Sequence, residues 1–435
     1  MITLRGWRVL QQAEVVVADS LVDGRLLRLL PPGVKVIQKR EPKEKWKYML
    51  QEAKKGKRVV RLKNGDPFLF SRIEEELELL VKEGIEFAVV PGISAAFAAA
   101  SFSGVPLTSR RLSSWVTLVT GKEAEDKEKS IPWEELGRGG TLVIYMGIES
   151  LRDIVERIIQ GGRDEDTPVM VISFAGSMFQ QMVRGSLKDI PEKVKEKKIS
   201  APAVVIIGEV VLKEGEFNWF RKAKKLLFTG LSPERFFYPG LVFHLPLIEI
   251  KPLEDYREMD ALIERLEEFD WIVFSSRYGV IYFLQRLFSA GKDMRALHGI
   301  RVAAIGKSTA GRLEEYGVKP DLVPMEESSK GLLEEFRKRG ITGVRILLPR
   351  SDIADKGLTR GFEELGNQVY PCIAYRNTIP QNLPDIDFRF FDEIMFTSPS
   401  TVRNFFIRYR NLPSHIRVRW IGDVTRRELE RFVRI

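Results

Sequence analysis

A single cysteine, Cys372, occurs in 435 residues, so no internal disulfide is possible. A reducing compartment, the cytoplasm, is the expected location. Histidine is almost as scarce. His244, His298 and His415 lie far apart, no metal-ligand spacing exists, and no metal site is expected. Neither a Gly-x-Gly-x-x-Gly nor a Walker loop is present, which removes the usual phosphate cradles. Long unbroken apolar runs are missing too. The most membrane-like window, "FAVVPGISAAFAAASFSGVPL" (87–107), is broken by Pro91-Gly92, Pro106 and serines. It reads as a buried strand, a turn and a small-residue helix packed closely on a neighbour. The opening "MITLRGWRVLQQAEVVV" lacks the apolar core of a signal peptide.

What is present is the profile of a soluble globular protein: 44% hydrophobic and 30% charged residues. The length suggests two or three domains. Net charge is +9, from 69 basic and 60 acidic residues. Nucleic acid, a membrane surface or an acidic small molecule would each suit that excess. Basic runs such as "EPKEKWKYMLQEAKKGK" interleave with acids, as a solvated helix face does, and no nucleic-acid-binding signature accompanies them.

Up to about Val211, short apolar strands alternate with amphipathic helices: "AEVVVAD", "KRVVRL", "WVTLVTG", "TLVIYMG", "PVMVISF", "PAVVIIGEVV". This is an α/β rhythm. "LKEGEFNWFRKAKK" is polar and basic and reads as a terminal helix or as a linker, placed at 214–225. The rhythm restarts at Leu226 and then repeats itself. "DWIVFSSRYGVIYFLQRL" at Asp270 resembles "DEIMFTSPSTVRNFFIRY" at Asp392, and "RVAAIGKSTAGRLEEYG" at Arg301 resembles "RVRWIGDVTRRELERF" at Arg417. Each unit is strand, hydroxyl-rich turn, helix. Two copies of one α/β subdomain with a cleft between them are expected.

Ligands of open α/β folds gather at the carboxyl ends of strands. In the first half those ends read Asp19-Ser20, Asn64-Gly65-Asp66-Pro67, Pro91-Gly92-Ile93-Ser94, Thr120-Gly121 and Tyr145-Met146-Gly147. Glycine allows close backbone approach and proline fixes a turn. Asp66 can accept hydrogen bonds from hydroxyls or from a cationic ligand. Taken alone, Asn-Gly-Asp-Pro is equally a plain turn; five such ends in one domain point to a site.

"ITLRGWRVLQQAEVVVADSLV", "GKRVVRLKNGDPFLFSR", "VVPGISAAFAAASFSGVPLTSR", "VTLVTGK", "LVIYMG" and "PAVVIIGEVV", in this order over 1–213, resemble the uroporphyrinogen-III C-methyltransferases. The resemblance implies a tetrapyrrole methylase fold that transfers methyl groups from S-adenosyl-L-methionine to two pyrrole carbons of uroporphyrinogen III. It places Asn64, Gly65, Asp66, Leu69, Ser94, Ala95, Met146 and Ala175 on cofactor-binding positions. It assigns Asp19 as proton acceptor and Lys39 as donor, and implies a homodimer through this domain. Without it, Asp19 is a strand-end turn residue and Lys39 a solvated charge.

Departures accompany the match. The family starts with a strand and a Gly-x-Gly-Pro-Gly-Asp loop; Met1-Ile2-Thr3 falls just past them, so the sheet is expected to be opened and less stable. The family's histidine loop after Lys39-Arg40 is deleted. Asn64 stands for a glycine and Lys122 for a histidine.

The second half, 226–435, resembles uroporphyrinogen-III synthase through "FSSRYGV", "AAIGKSTAGRLEEYGVKPDLVP", "LLPRSDIADKGLTRGFEELGNQVYPCIAYRN" and "FTSPSTVRNFF". That family is two α/β lobes joined by a two-strand ladder. Here the lobes are expected at about 226–250 plus 377–435, and at 253–375, with "PLIEIKP" and "VYPCIAYRN" as the ladder. The family is a hydro-lyase that closes hydroxymethylbilane into a ring while inverting the last pyrrole. Strand-end hydroxyls and N–H groups suit its eight carboxylates. Ser275, Ser276, Thr309, Thr397, Ser398, Ser400 and Thr425 are the candidates, and Tyr375 is the candidate for assisting loss of water. Several of these hydroxyls also read as helix N-caps. The positive charge then answers to a polyanionic tetrapyrrole rather than to nucleic acid or membrane.

Together these features imply a multifunctional cytoplasmic enzyme of sirohaem or cobalamin synthesis. The alternative is an active synthase whose decayed methylase half serves as a binding or docking module.

Overall fold

The computed structural model describes residues 1–27, 29–31, 33–38, 41–123, 130–136 and 138–433. They form two compact α/β units, Met1–Ala223 and Lys224–Ile435.

The first unit contains two sheets. The smaller is parallel, in the order β2-β1-β3, from β1 (Val15–Ala18), β2 (Lys35–Ile37) and β3 (Val59–Leu62). β1 lies in the middle and is buried on both faces, as its all-apolar sequence requires. Val15 and Val17 pack with Met49 and Leu80, and Val16 and Ala18 with Leu10 and Val22. β3 is only half-buried, and it pairs with β1 alone. Residues 86–90, expected as a buried strand, run without a strand partner and are half-exposed or exposed. A ladder needs a neighbour, and an isolated apolar run cannot satisfy its own amides. A cavity of about 1290 Å³ is lined both by Val59, Val60 and Leu62 of β3 and by Phe87–Pro91. Among the described residues the outer edge of β3 has no strand neighbour.

The second sheet has the order β4-β5-β8-β6-β7: β4 (Val116–Thr120), β5 (Thr141–Tyr145), β6 (Pro168–Ser173), β7 (Gln181–Ser186) and β8 (Ala203–Ile207). β4 and β5 are parallel and the other pairs antiparallel. β7 is absent from the sequence reading because Gln181 and Arg184 break its apolar character; as an edge strand it needs only one covered side.

The linker expected at 214–225 does not exist. Short helices Glu214–Phe217 and Trp219–Lys222 fold back on the helix Ala95–Ser103. Trp219 Nε1 donates to Ser101 O at 2.8 Å, and the Phe102 ring lies 5.2 Å from Phe220 and 5.6 Å from Trp219. Gly104 (φ +72°) lets Asn218 pass so close that a Cβ would lie 2.4 Å from its nitrogen. The charged residues drew attention away from Phe220, which is buried, and from Trp219, which packs on Phe102. The chain turns to the second unit at 223/224, and the next strand begins at Lys225.

That unit holds two sheets, one built from the two ends of its sequence and one from the middle. One sheet, β10-β9-β16-β17, comprises β9 (Lys225–Phe228), β10 (Leu241–His244), β16 (Glu393–Phe396) and β17 (Arg417–Trp420). The other, β11-β15-β14-β12-β13, comprises β11 (Glu249–Lys251), β12 (Trp271–Phe274), β13 (Arg301–Ala304), β14 (Arg345–Ser351) and β15 (Gln368–Thr378). β11 pairs antiparallel with the far end of β15, which is the expected ladder. β12 is buried on both faces: Trp271 and Val273 enter one core, Ile272 and Phe274 the other.

The repeat is visible in its hydrogen bonds. Asp270 Oδ2 accepts the N–H of Arg345, and Asp392 Oδ2 accepts that of Lys225, both at 2.8 Å. Ser276 caps the helix Arg277–Ser289 and Ser398 caps the helix Pro399–Tyr409. Same residue, same job, in each lobe.

If residues 214–222 are part of the first core, Phe220→Ala, at a side chain only 3% exposed, costs about 3–5 kcal/mol in urea unfolding of the first unit. A linker residue would change it by less than about 0.5 kcal/mol.

Candidate functional site

In the first unit the loops after β3 and before the helix Ala95–Ser103 touch backbone to backbone. A Cβ on Gly92 would lie 2.0 Å from the Gly65 carbonyl oxygen, so only glycine fits there. Asp66 fastens this contact. Its Oδ1 accepts the N–H of Phe68 and its Oδ2 that of Gly92, each at 2.9 Å. The carboxylate between Gly65 and Pro67 is therefore a staple between loops, and each oxygen keeps a lone pair for a ligand.

Asp66, Leu69 and Ser94 line one hollow of about 410 Å³ with Phe68, Gly92, Ile93 and Phe97. Asn64 and Gly65 line the larger cavity, which shares Gly92 and Ile93 with the hollow. Ala95 is exposed beside Ser94. Met146 (φ +53°) and Ala175 lie outside these walls; Ala175 packs in the apolar cluster that contains Tyr145.

In the sequence Tyr145 stands only as part of a strand end, with no role of its own. Its hydroxyl bonds the Ser94 hydroxyl, accepts the Ala96 N–H at 3.0 Å, and its ring lies 5.0 Å from Phe70. Its place at a strand end, next to Met146, was the available signal.

Asp19 sits at the end of β1, where its N–H donates to Leu62 O. Its Oδ1 accepts from Lys45 Nζ and from Arg61 Nη2, both at 2.6 Å. Arg61 also reaches Glu76 at 3.1 Å, and Lys63 reaches it at 2.6 Å. Two carboxylates thus meet three cations. Burial works against the charge on Asp19, but hydrogen bonds from Lys45 and Arg61 outweigh it and hold the carboxyl below the ordinary aspartate value. In this state Asp19 is a paired anion and a poor proton acceptor. Lys39 lies outside the described residues. Lys45, on the helix Pro42–Ala53, is the lysine among the described residues that reaches Asp19, together with Arg61.

In the second unit Tyr375 is 6% exposed, its hydroxyl 2.9 Å from Ser276 Oγ and its ring stacked 5.8 Å from Tyr282. Burial pushes its pKa up, with hydrogen bonds to Ser276 and Ser351 pulling the other way. The phenol stays protonated and can donate. Ser276 and Ser398 are N-caps, and Ser400 Oγ lies 3.0 Å from Ser398 Oγ. Thr397 packs on Gly230 at the end of β9. Ser275 is half-buried at the end of β12. Thr309 and Thr425 are 4% and 2% exposed, each near the start of a helix. Arg277, after β12, donates to Ser232 Oγ, after β9, and so ties the two lobes together.

Among the described residues no group of acidic, histidine or cysteine side chains is placed to hold a metal, and no helix is long and apolar enough to cross a membrane.

Comparison with known proteins divides the chain at the same place. Residues 1–191 match the family of tetrapyrrole (corrin/porphyrin) methylases, and 240–433 match uroporphyrinogen-III synthase HemD. A porphyrin biosynthesis protein HemD of Ruminiclostridium josui is 29% identical across 95% of this chain and 87% of its own. An S-adenosyl-L-methionine-dependent uroporphyrinogen III methyltransferase of Methanosarcina barkeri is 40% identical over 48% of this chain and 87% of its own. A siroheme synthase of Pseudomonas fluorescens is 40% identical over 52% of this chain; the match spans about half (50%) of that relative's length. The chain belongs to the tetrapyrrole methylases over its first half and carries a HemD-type uroporphyrinogen-III synthase domain after it.

The Asp19 network has a pH signature. A carboxyl with a depressed pKa in the folded state stabilises the fold above its unfolded value, about 3.9, and loses that contribution as pH falls through its folded value. Lys45→Met removes one of the two cations, so the Asp19 pKa, read by carbon NMR, should move up. An unchanged pKa would show that Arg61 alone sets it.

Proposed function

We propose that the chain is a bifunctional enzyme of sirohaem synthesis. Its second unit closes hydroxymethylbilane to uroporphyrinogen III, and its first unit methylates that product with S-adenosyl-L-methionine to precorrin-2. The observation that carries this reading is the fusion itself: the compound one matched domain forms is the one the other consumes.

The hollow in the first unit suits the cofactor. Phe68, Ile93, Leu69 and Phe97 offer apolar walls to a flat group, and Asp66 and the Ser94 hydroxyl offer oxygen to a cationic end. When bound, S-adenosyl-L-methionine supplies the methyl group on a sulfonium. The chain's own residues do the rest. Asp66 keeps the two loops together, so the walls are in place before binding, which is where positioning contributes most to rate. Lys45, Arg61 and Lys63 exceed Asp19 and Glu76 by one charge, a setting for substrate carboxylates. Asp19 orients those cations rather than accepting a proton itself.

In the second unit neutral Tyr375 donates toward the departing hydroxyl, which leaves as water, while Ser276 fixes the direction of the phenol. Thr309 and Thr425 present hydroxyls at helix starts, where carboxylates are favoured. A homodimer through the first unit, and a cytoplasmic location, complete the proposal.

Given hydroxymethylbilane and S-adenosyl-L-methionine, the chain should release the type III isomer and then its methylated product; formation of type I alone, as without a catalyst, overturns the synthase assignment. Asp66→Ala should abolish cofactor binding in a calorimetric titration and leave type III formation intact. Equal affinity in variant and parent would remove Asp66 from the site.

A further inference from the structure

In the second unit the Arg277 guanidinium rests on neutral partners. Arg277 is the first residue of the helix after β12, and its neighbour Ser276 is the one bonded to Tyr375. Nη2 of Arg277 donates to Ser232 Oγ across the cleft and to Tyr278 Oη at 3.2 Å; its Cζ lies 5.0 Å from the Tyr278 ring centroid. Among the described residues no carboxylate pairs with it. Elsewhere in this unit Arg257, Arg286, Arg295, Arg389 and Arg419 each rest on an aspartate or glutamate. Those pairs are structural. Arg277 instead spends a rigid, five-donor fork on a serine and a phenol, at the mouth of a site whose reactive phenol is one residue away.

We propose that Arg277 recognises a carboxylate of the tetrapyrrole substrate, and that Ser232 holds the guanidinium in position until that carboxylate displaces it. The inference rests on the synthase reading above and adds the residue that selects for the acidic side chains. A guanidinium matches a carboxylate with two parallel N–H···O bonds, shorter and stronger than those to a neutral hydroxyl. The exchange therefore favours the bound state, and it moves the partner of Arg277 from the opposite lobe to the ligand. Aromatic contact with Tyr278 keeps the side chain from swinging into solvent meanwhile.

Two variants separate recognition from a mere tie between lobes. Arg277→Gln should raise KM for hydroxymethylbilane about 10–100-fold, the worth of one charge-assisted hydrogen-bonded contact, with kcat and the isomer ratio little changed. Arg277→Lys should recover part of that loss. Ser232→Ala should leave KM unchanged or lower it, because the arginine loses its competing partner. If Ser232→Ala raises KM as Arg277→Gln does, Arg277 only ties the lobes and the proposal is wrong. Binding of uroporphyrin III, a stable octacarboxylate porphyrin, to the whole chain by fluorescence supplies an independent arm. Weaker binding in Arg277→Gln than in the parent supports carboxylate recognition even if the parent forms no type III isomer, an outcome that would defeat the synthase reading alone. Equal binding in parent and variant overturns the inference.

Discussion

An aspartate beside a strand that accepts a backbone N–H from another segment is the interaction on which both units depend. Asp66 takes the N–H of Gly92, Asp270 that of Arg345, Asp392 that of Lys225 and Asp321 that of Val302. At Asp270, Asp392 and Asp321 the carboxylate bond runs beside a backbone bond between the same two residues, and at Asp66 it joins two loops. Such a bond, from an N–H to a carboxylate, is charge-assisted. It fixes both the separation and the register of the segments it joins. The loops that follow then start from defined places. That is how Ser94 and Leu69, from different loops, share one hollow, and how Ser276 meets Tyr375.

Function follows from what is left over after this scaffolding is satisfied. Most charged groups are consumed locally, in ion pairs or capping bonds. Among the described residues, strand ends also carry groups that this pattern does not use up: an extra positive charge around Asp19 and Glu76, an arginine on neutral partners, and two deeply placed threonine hydroxyls. All suit a ligand rich in carboxylates. The chain's modest positive excess is therefore less informative than where its unpaired part sits.

Much of this was legible in the residues. Apolar runs with period two or continuous burial marked most strands, and the repeated Asp-x-x-x-Phe-(Ser/Thr)-Ser pattern announced two lobes with one design. Positions of the loops were legible because Gly and Pro leave few alternatives. What stayed hidden depended on partners distant in sequence. Residues 86–90 have the composition of a strand, but only a neighbour makes one. Residues 214–222 look like a linker until Phe102 is found beside them. Asp66 looks like a free ligand group until Gly92 is seen to use it. Lys45 and Tyr145 belong to the site through contacts 26 and 51 residues away, beyond the reach of local pattern.

The nested order of the second unit has a consequence for how the chain is made. The lobe around β12 is one continuous stretch, whereas β9 completes its sheet with β16, and Lys225 waits for Asp392, 167 residues later. At about 5–20 residues per second, β9 and β10 leave the ribosome some ten to thirty seconds before their partner. During that interval Leu226, Leu227 and Phe228, all buried in the finished sheet, have only β10 for cover. The inner lobe folds in between, on a chain whose outer lobe is half made. Synthesis from the first residue thus leaves a window in which a chaperone, or a pause in translation, decides the yield of folded protein.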